Sequence, residues 1–97
     1  MANRIELRGK LTQPPELRIT PAGTALLRIA VECGLPESEL RMNVVMTGDR
    51  ARTIASELAA GCEIRATGSL RATMVRSGLA RSSIEVVADE ISLVRPD

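Results

Sequence analysis

A positively charged stretch near the C-terminal end is the first part of the sequence that could carry chemistry. Residues 64–84 contain four arginines and no aspartate or glutamate. These arginines are Arg65, Arg71, Arg76 and Arg81. Guanidinium groups bind phosphate through paired hydrogen bonds, so the stretch is suited to an anionic polymer. Charge alone leaves a second interpretation open, because a solvated β-hairpin also carries arginines that keep it soluble.

The chain as a whole is nearly neutral, so the position of its charges matters more than their sum. Thirteen lysines and arginines stand against twelve aspartates and glutamates, and the formal net charge is +1. Twelve of the thirteen cations are arginine, which suits phosphate recognition but also results from a GC-rich genome. Net charge therefore predicts no partner, whereas the local arginine stretch does.

Side chains that carry out catalysis are scarce. The chain has no histidine, the commonest general base and metal ligand. No base is placed to activate a serine or threonine, and the phosphate loop GxxxxGK[ST] is absent from the sequence. Cys33 and Cys62 form no CxxC pattern and predict two small buried side chains in a reducing compartment. We therefore expect neither an enzyme nor a metal or cofactor site.

Length and hydropathy predict one soluble domain over residues 1–97. The N-terminus has no apolar run of signal-peptide length, and no stretch approaches the length of a membrane span. The expected location is the cytoplasm, without a membrane partner.

Apolar and charged residues alternate with a period of two along much of the chain. This pattern predicts that β-strands carry most of the charged residues. In residues 4–11 the apolar side chains fall on odd positions and the charged ones on even positions. This first strand is expected to be a solvated or dimer-facing edge. Two further strands surround a turn at Pro21 and Gly23. Residues 34–39 are predicted to be a loop. The next strand is predicted to begin at Leu40, which has the core phase, meaning that it falls on the alternate positions whose side chains face the core.

Residues 48–61 change to a helical period, with apolar positions at Ala51, Ile54, Ala55 and Leu58. Asp49 is predicted to cap the N-terminus and Gly61 to end the helix, giving about three turns. The final two strands form a hairpin around Gly78. The apolar phase flips near Asp89 and Glu90, which predicts a β-bulge in a curved sheet.

These elements predict an all-β fold with one short helix, a five-stranded OB-fold barrel with the helix between strands 3 and 4. Within such a sheet, Arg18, Arg28 and Arg41 occupy outward strand positions, and curvature would bring some of them to the face of the hairpin. Four apolar residues fall out of phase with the core and are either isolated exposed side chains or a dimer interface. They are Leu26, Ala30, Val45 and Val87.

The ordered set of motifs resembles the single-strand-binding protein superfamily, and within it the primosomal replication proteins of replication restart. The shared features are the N-terminal NRIxLxG pattern (residues 3–9), the PxG turn (residues 21–23), glycines at 48, 61 and 68, and the basic hairpin with Gly78 and Leu79. The resemblance covers the whole chain. It implies a homodimer of OB-folds that binds single-stranded DNA and assists a restart helicase and a helicase loader.

Carried over position by position, the resemblance implies that Arg18, Arg76 and Arg81 are the main DNA contacts. Arg71, Arg41 and Arg28 complete the predicted DNA-binding set. The resemblance also implies a comparison with a family member that stacks bases on aromatic residues near the second and third strands, and this position falls on Glu39 or Leu40. The chain contains no Phe, Tyr or Trp, so stacking on aromatic rings is impossible. The alternative function is a dimeric adaptor for the two partner proteins, with weak or lost DNA binding.

Overall fold

The structure, a computed structural model, describes residues 3–35, 37–77 and 79–94, with side chains for all of these except 35, 38, 73–77 and 79–83. It has six strands and one helix in this described part. The strands are β1 (Ile5–Leu11), β2 (Glu16–Ile19), β3 (Ala25–Leu35), β4 (Ser38–Thr47), β5 (Glu63–Ser77) and β6 (Leu79–Leu93). The helix is α1 (Asp49–Ala55), between β4 and β5. No helix in the described ranges is long and apolar enough to cross a membrane.

Five strands close into a barrel, and the sixth is attached to its side. The ring runs β1-β5-β6-β4-β3, and β3 pairs back onto β1. Strand β2 lies outside the ring, on the edge of β3 over Ala25–Arg28. The predicted five-stranded OB barrel is confirmed. Because β2 is outside the ring, α1 lies between the third and fourth barrel strands even though these are β4 and β5 in chain order.

Alternating side chains fill the barrel, as the period of two predicted. In β1, Leu7 and Leu11 are buried while the charged residues between them face solvent. The largest fully buried side chains come from all five barrel strands. They are Leu11, Leu27, Ile29, Val31, Val44, Ile64 and Val86. Each such aliphatic side chain stabilises the fold by roughly 1.5–3 kcal/mol through its removal from water.

The predicted bulge in the last strand is confirmed at Asp89. Thr67 of β5 is opposite Glu90 of β6, but the next residue, Gly68, is opposite Ala88, so Asp89 is the extra residue. The extra residue shifts the alternation of inward and outward side chains along β6 by one position. Ala88 and Ile91, on an even and an odd position, are therefore both buried on the core side. Gly68 lies where the two strands approach most closely. A Cβ there would collide with the carbonyl oxygen of Val87 and lie 2.8 Å from the Cα of Ala88.

The helix is shorter than predicted, and its predicted ends were wrong. Gly48, with φ of 96°, is the N-cap, and Asp49 is already the first helical residue. After Ala55 the chain tightens, and the Glu57 amide donates to the Ile54 carbonyl at 2.9 Å. This tighter turn lets Leu58 enter the core outside the helix. Gly61, with φ of 89°, instead joins the chain to β1, since its amide donates to the Leu11 carbonyl at 2.8 Å.

The two long hairpins extend past one end of the barrel, which we call the open end. Here the predicted loop at 34–39 is largely strand, because β3 continues to Leu35 and β4 begins at Ser38. Leu40, Leu70 and Ala72 have the core phase, but they are exposed. Leu70 and Ala72 lie beyond Gly68, the last residue of β5 that pairs with β1, so β1 does not cover them. The other end is covered by α1, which packs against β2, β3 and β4.

Candidate nucleic-acid interface

Three of the predicted arginines lie on the outer surface of β2, β3 and β4. Arg28 points outward because its neighbours along β3, Leu27 and Ile29, point into the core. Directly opposite residues of antiparallel strands share a face. Arg18 is opposite Leu26 and Arg41 is opposite Glu32, and both of these β3 residues alternate in phase with Arg28.

Arg71 reaches the same surface from β5. Its partner on β6 is Glu85, whose partner on β4 is Asn43, and Asn43 is in turn opposite Ala30 of β3. All of these residues occupy the alternate strand positions that face away from the core. The continuous outer surface of β2, β3, β4, β6 and β5 therefore carries four of the six predicted contacts, and we call it the arginine face. Its members are Arg18, Arg28, Arg41 and Arg71.

The other two predicted contacts are on the β5–β6 hairpin. The backbone of Arg76 is in β5, opposite Ala80, and that of Arg81 is in β6, opposite Val75. Their side chains lie outside the described residues. Their role in binding stays a prediction.

On the part of the arginine face formed by β2, β3 and β4, two arginines form ion pairs with carboxylates. Nη2 of Arg18 is 2.6 Å from Oε1 of Glu16, and Nε of Arg41 is 3.7 Å from Oε2 of Glu32. Because all four side chains are substantially exposed, each ion pair contributes at most about 1 kcal/mol. Among the described residues, Arg28 has no carboxylate within 4.0 Å, although Glu16 is its cross-strand partner.

Glu85 is a residue of the candidate site that the sequence analysis missed. Its side chain is 9% exposed, and its Oε1 accepts hydrogen bonds from Nε of Arg71 at 3.1 Å and from Nη2. Glu85 comes directly after the acid-free stretch, in the outward phase of the last strand. These two facts, combined with hairpin pairing, could have indicated that it faces an arginine.

The first strand carries further ion pairs and not a row of isolated cations. Nη1 of Arg4 is 2.9 Å from Oδ2 of Asp89, and Nη2 of Arg8 is 2.8 Å from Oε2 of Glu63. Glu6 lies 3.2 Å from Nε of Arg65, the first arginine of the acid-free stretch. The outer surface of β1 is therefore a balanced, solvated surface.

The out-of-phase apolar residues lie within the arginine face. Val45 is only 4% exposed, because its cross-strand partners Arg28 and Val87 and their neighbours surround it. Leu26, Ala30 and Val87 are half-buried. The interpretation of these four residues as an exposed apolar interface is therefore wrong for Val45, which the monomer itself buries.

The two cysteines are free thiols packed at the margin of the core. Burial raises the pKa of the Cys33 thiol above its ordinary value, which keeps the thiol protonated at neutral pH. Both are half-buried and not fully buried as predicted, although both pack against the core. In the part of the chain that is described, no group of three or more potential ligands could hold a metal ion.

An OB barrel with arginines across its outer sheet is an architecture typical of proteins that bind single-stranded nucleic acid. The chain belongs to the Single-strand binding protein family, which matches residues 2–94. It is 33% identical to a Clostridium tetani single-stranded DNA-binding protein over 95% of this chain and 70% of that protein. It is also 29% identical to the replication restart protein PriB of Vibrio parahaemolyticus, over 97% of this chain and the full length of that protein.

A solved structure gives the same result for the fold. A deletion mutant of the Thermus aquaticus single-stranded DNA-binding protein superposes with a TM-score of 0.84 at 30% identity. The alignment covers 99% of this chain but only 42% of the Thermus aquaticus chain. The resemblance to the single-strand-binding superfamily is therefore confirmed.

Proposed function

We propose that this protein is a single-stranded-DNA-binding accessory protein of the replication restart primosome that holds the phosphate backbone mainly through arginine. The observation that carries the proposal is the presence of Arg18, Arg28, Arg41 and Arg71 on one outer surface. The PriB relative, which this chain matches from end to end, supports the restart role. A binding function in the cytoplasm accounts for these features without catalysis.

The ion pairs on the arginine face are compatible with phosphate binding. Arg18 and Arg41 are bound to exposed carboxylates, and such pairs are weak enough for a phosphate to replace the acid. Arg28 has no carboxylate within 4.0 Å in the ranges that the structure describes, so it needs no such exchange. DNA binding then gains free energy from the counterions that the strand releases, which makes the affinity depend steeply on salt.

A titration with a fluorescent oligothymidylate tests the proposal. Each neutralised phosphate contributes about −0.7 to the slope of log affinity against log salt. The four contacts of the arginine face alone therefore predict that affinity falls about fiftyfold between 50 and 200 mM salt. Measuring fluorescence anisotropy across this range gives the slope directly. Absence of saturable binding at 50 mM salt and high protein concentration would contradict the proposal.

The second candidate is a dimeric adaptor that contacts a restart helicase and a helicase loader without holding DNA tightly. The observation in its favour is that Glu16, Glu32 and Glu85 already neutralise three of the four arginines. Glu37 and Glu39, exposed near the β3–β4 turn, would also repel phosphates. The same titration separates the two candidates, because the adaptor predicts no saturable DNA binding.

Either candidate is proposed to act as a homodimer, and two neighbouring features support this. The open end of the barrel exposes Leu40, Leu70 and Ile84, and no described element covers them. One edge of β1 pairs with β5, while the other pairs with β3 only at Lys10 and Leu11, which leaves its first half open. The two features adjoin, because the Asn3 side-chain oxygen accepts a hydrogen bond from the Leu70 amide at 2.7 Å.

The substitution Ile84→Glu is expected to convert a dimer into a monomer without loss of fold. Ile84 is 59% exposed in the monomer, so a charge there costs little until a second copy covers it. Sedimentation velocity would show the wild type with the mass of two chains and the variant with the mass of one. Ile19→Glu is the matched control, since Ile19 is 55% exposed on β2, away from the open end. Equal behaviour of the two variants would contradict this interface.

A further inference from the structure

The carboxylate of Glu85 is unusual because it is almost buried on the outer surface of a sheet. The residue is 7% exposed, between Arg71 on β5 and Asn43 on β4. A buried carboxylate without a charged partner is strongly unfavourable. Arg71 is the one cation within 4.0 Å of Glu85 in the described part of the chain. Glu85 therefore holds the guanidinium group of Arg71 in place.

The contact fixes the plane of the guanidinium group and uses only one of its edges. Nε and Nη2 both donate to Oε1 of Glu85, and these two N–H groups lie on the same edge of the planar group. Arg18 makes a similar contact with Glu16, since its Nε donates to Oε1 at 2.7 Å and its Nη2 lies 2.6 Å from the same oxygen. Glu16 is 51% exposed, however, so that pair can rearrange freely in solvent.

The side chain of Arg71 stays largely open to solvent. It is 58% exposed, and hydrogen bonds made in the plane of the guanidinium group do not occupy the faces of that plane. Guanidinium planes stack on nucleobases, and a fixed plane loses less conformational entropy on doing so than a mobile one. The chain has no Phe, Tyr or Trp that could perform this role.

We infer that Arg71, held by Glu85, is a stacking platform for an unpaired nucleobase, and that Glu85 is its positioning residue. This inference rests on the proposed DNA-binding function. The other arginines of the face then act on phosphates alone, and Arg71 adds a contact that requires a base. The plane of Arg71 recognises a nucleobase of single-stranded DNA, while its charge still attracts the phosphates.

The test compares an oligothymidylate with an abasic strand of the same length, which has the phosphates but no bases. Wild-type protein is expected to bind the oligothymidylate more tightly. Arg71→Lys keeps the charge and can still pair with Glu85, but it removes the plane. We expect this variant to lose at least about fivefold more affinity for the oligothymidylate than for the abasic strand. Fluorescence anisotropy at fixed low salt gives both dissociation constants.

Two further variants control for charge and for folding. Arg18→Lys is expected to change the affinity for both strands by the same factor, because Arg18 contacts phosphate. Glu85→Ala removes a negative charge, so affinity for the abasic strand should rise while the preference for bases falls. Arg71 is largely exposed and can enter solvent in this variant, and a thermal denaturation followed by circular dichroism checks the fold.

Two outcomes would overturn the inference. The first is equal wild-type affinity for the two strands. The second is an unchanged preference for bases in Arg71→Lys, whether the variant loses affinity for both strands equally or for neither. A wild-type protein that binds neither strand instead refutes the proposed DNA-binding function, so the two failures are distinguishable.

Discussion

Replacing Arg76 and Arg81 together by glutamate is expected to abolish binding of single-stranded DNA and to leave the fold intact. The resemblance to the family implies that both arginines contact phosphate, and each reversal turns an attraction into a repulsion. A hydrogen bond to a charged group contributes about 1.5–3 kcal/mol, so losing two of them weakens binding by at least about a hundredfold. The measurement is the oligothymidylate titration at 50 mM salt, with circular dichroism as the test of folding.

A second double variant separates local contacts from a change in total charge. Arg50→Glu with Arg52→Glu alters the net charge by the same amount, on exposed residues of α1 at the covered end of the barrel. We expect this control to weaken binding far less than the hairpin variant. Equal losses would mean that DNA responds only to overall charge. Unchanged affinity in the hairpin variant would remove the hairpin from the site.

The substitution Gly68→Ala is expected to cost about 3 kcal/mol of unfolding free energy, the upper end for overpacking a tight site. A Cβ at this position meets the backbone of Val87 and Ala88, which cannot move aside as a flexible side chain can. The bulge at Asp89 brings β6 close to Gly68, and a shift of the backbone there would move Ala88, which is buried in the core. Urea denaturation followed by far-ultraviolet circular dichroism measures the effect.

Gly23→Ala is the control for the effect of adding a methyl group to glycine. Gly23 has φ of 85° in the turn before β3, and a Cβ there meets nothing within 4 Å. The substitution should therefore cost only the strain of a left-handed backbone, about 1 kcal/mol. If Gly68→Ala were no more costly than Gly23→Ala, the close approach of β5 and β6 would not be essential to the barrel.

The sequence by itself determined the strands, the face of each strand that is buried, and the bulge. These properties depend on neighbouring residues, because successive side chains of a strand point to opposite faces whatever the rest of the chain does. The change of phase near Asp89 is of this kind: it is visible within ten residues, and only an extra residue reconciles it with one core. The outward positions of Arg18, Arg28, Arg41 and Arg71 follow from the same alternation.

Only the tertiary structure decided which charges meet and which apolar residues stay exposed. The stretch from 64 to 84 is free of acids along the chain, yet Glu6 reaches Arg65 from β1 and Glu85 reaches Arg71 from β6. Leu70 has the phase of a core residue but lies beyond the end of the barrel. Ion pairing and burial depend on residues that the pairing of β-strands brings together from distant parts of the chain. The register and length of each strand set those neighbours, and local alternation contains no information about either.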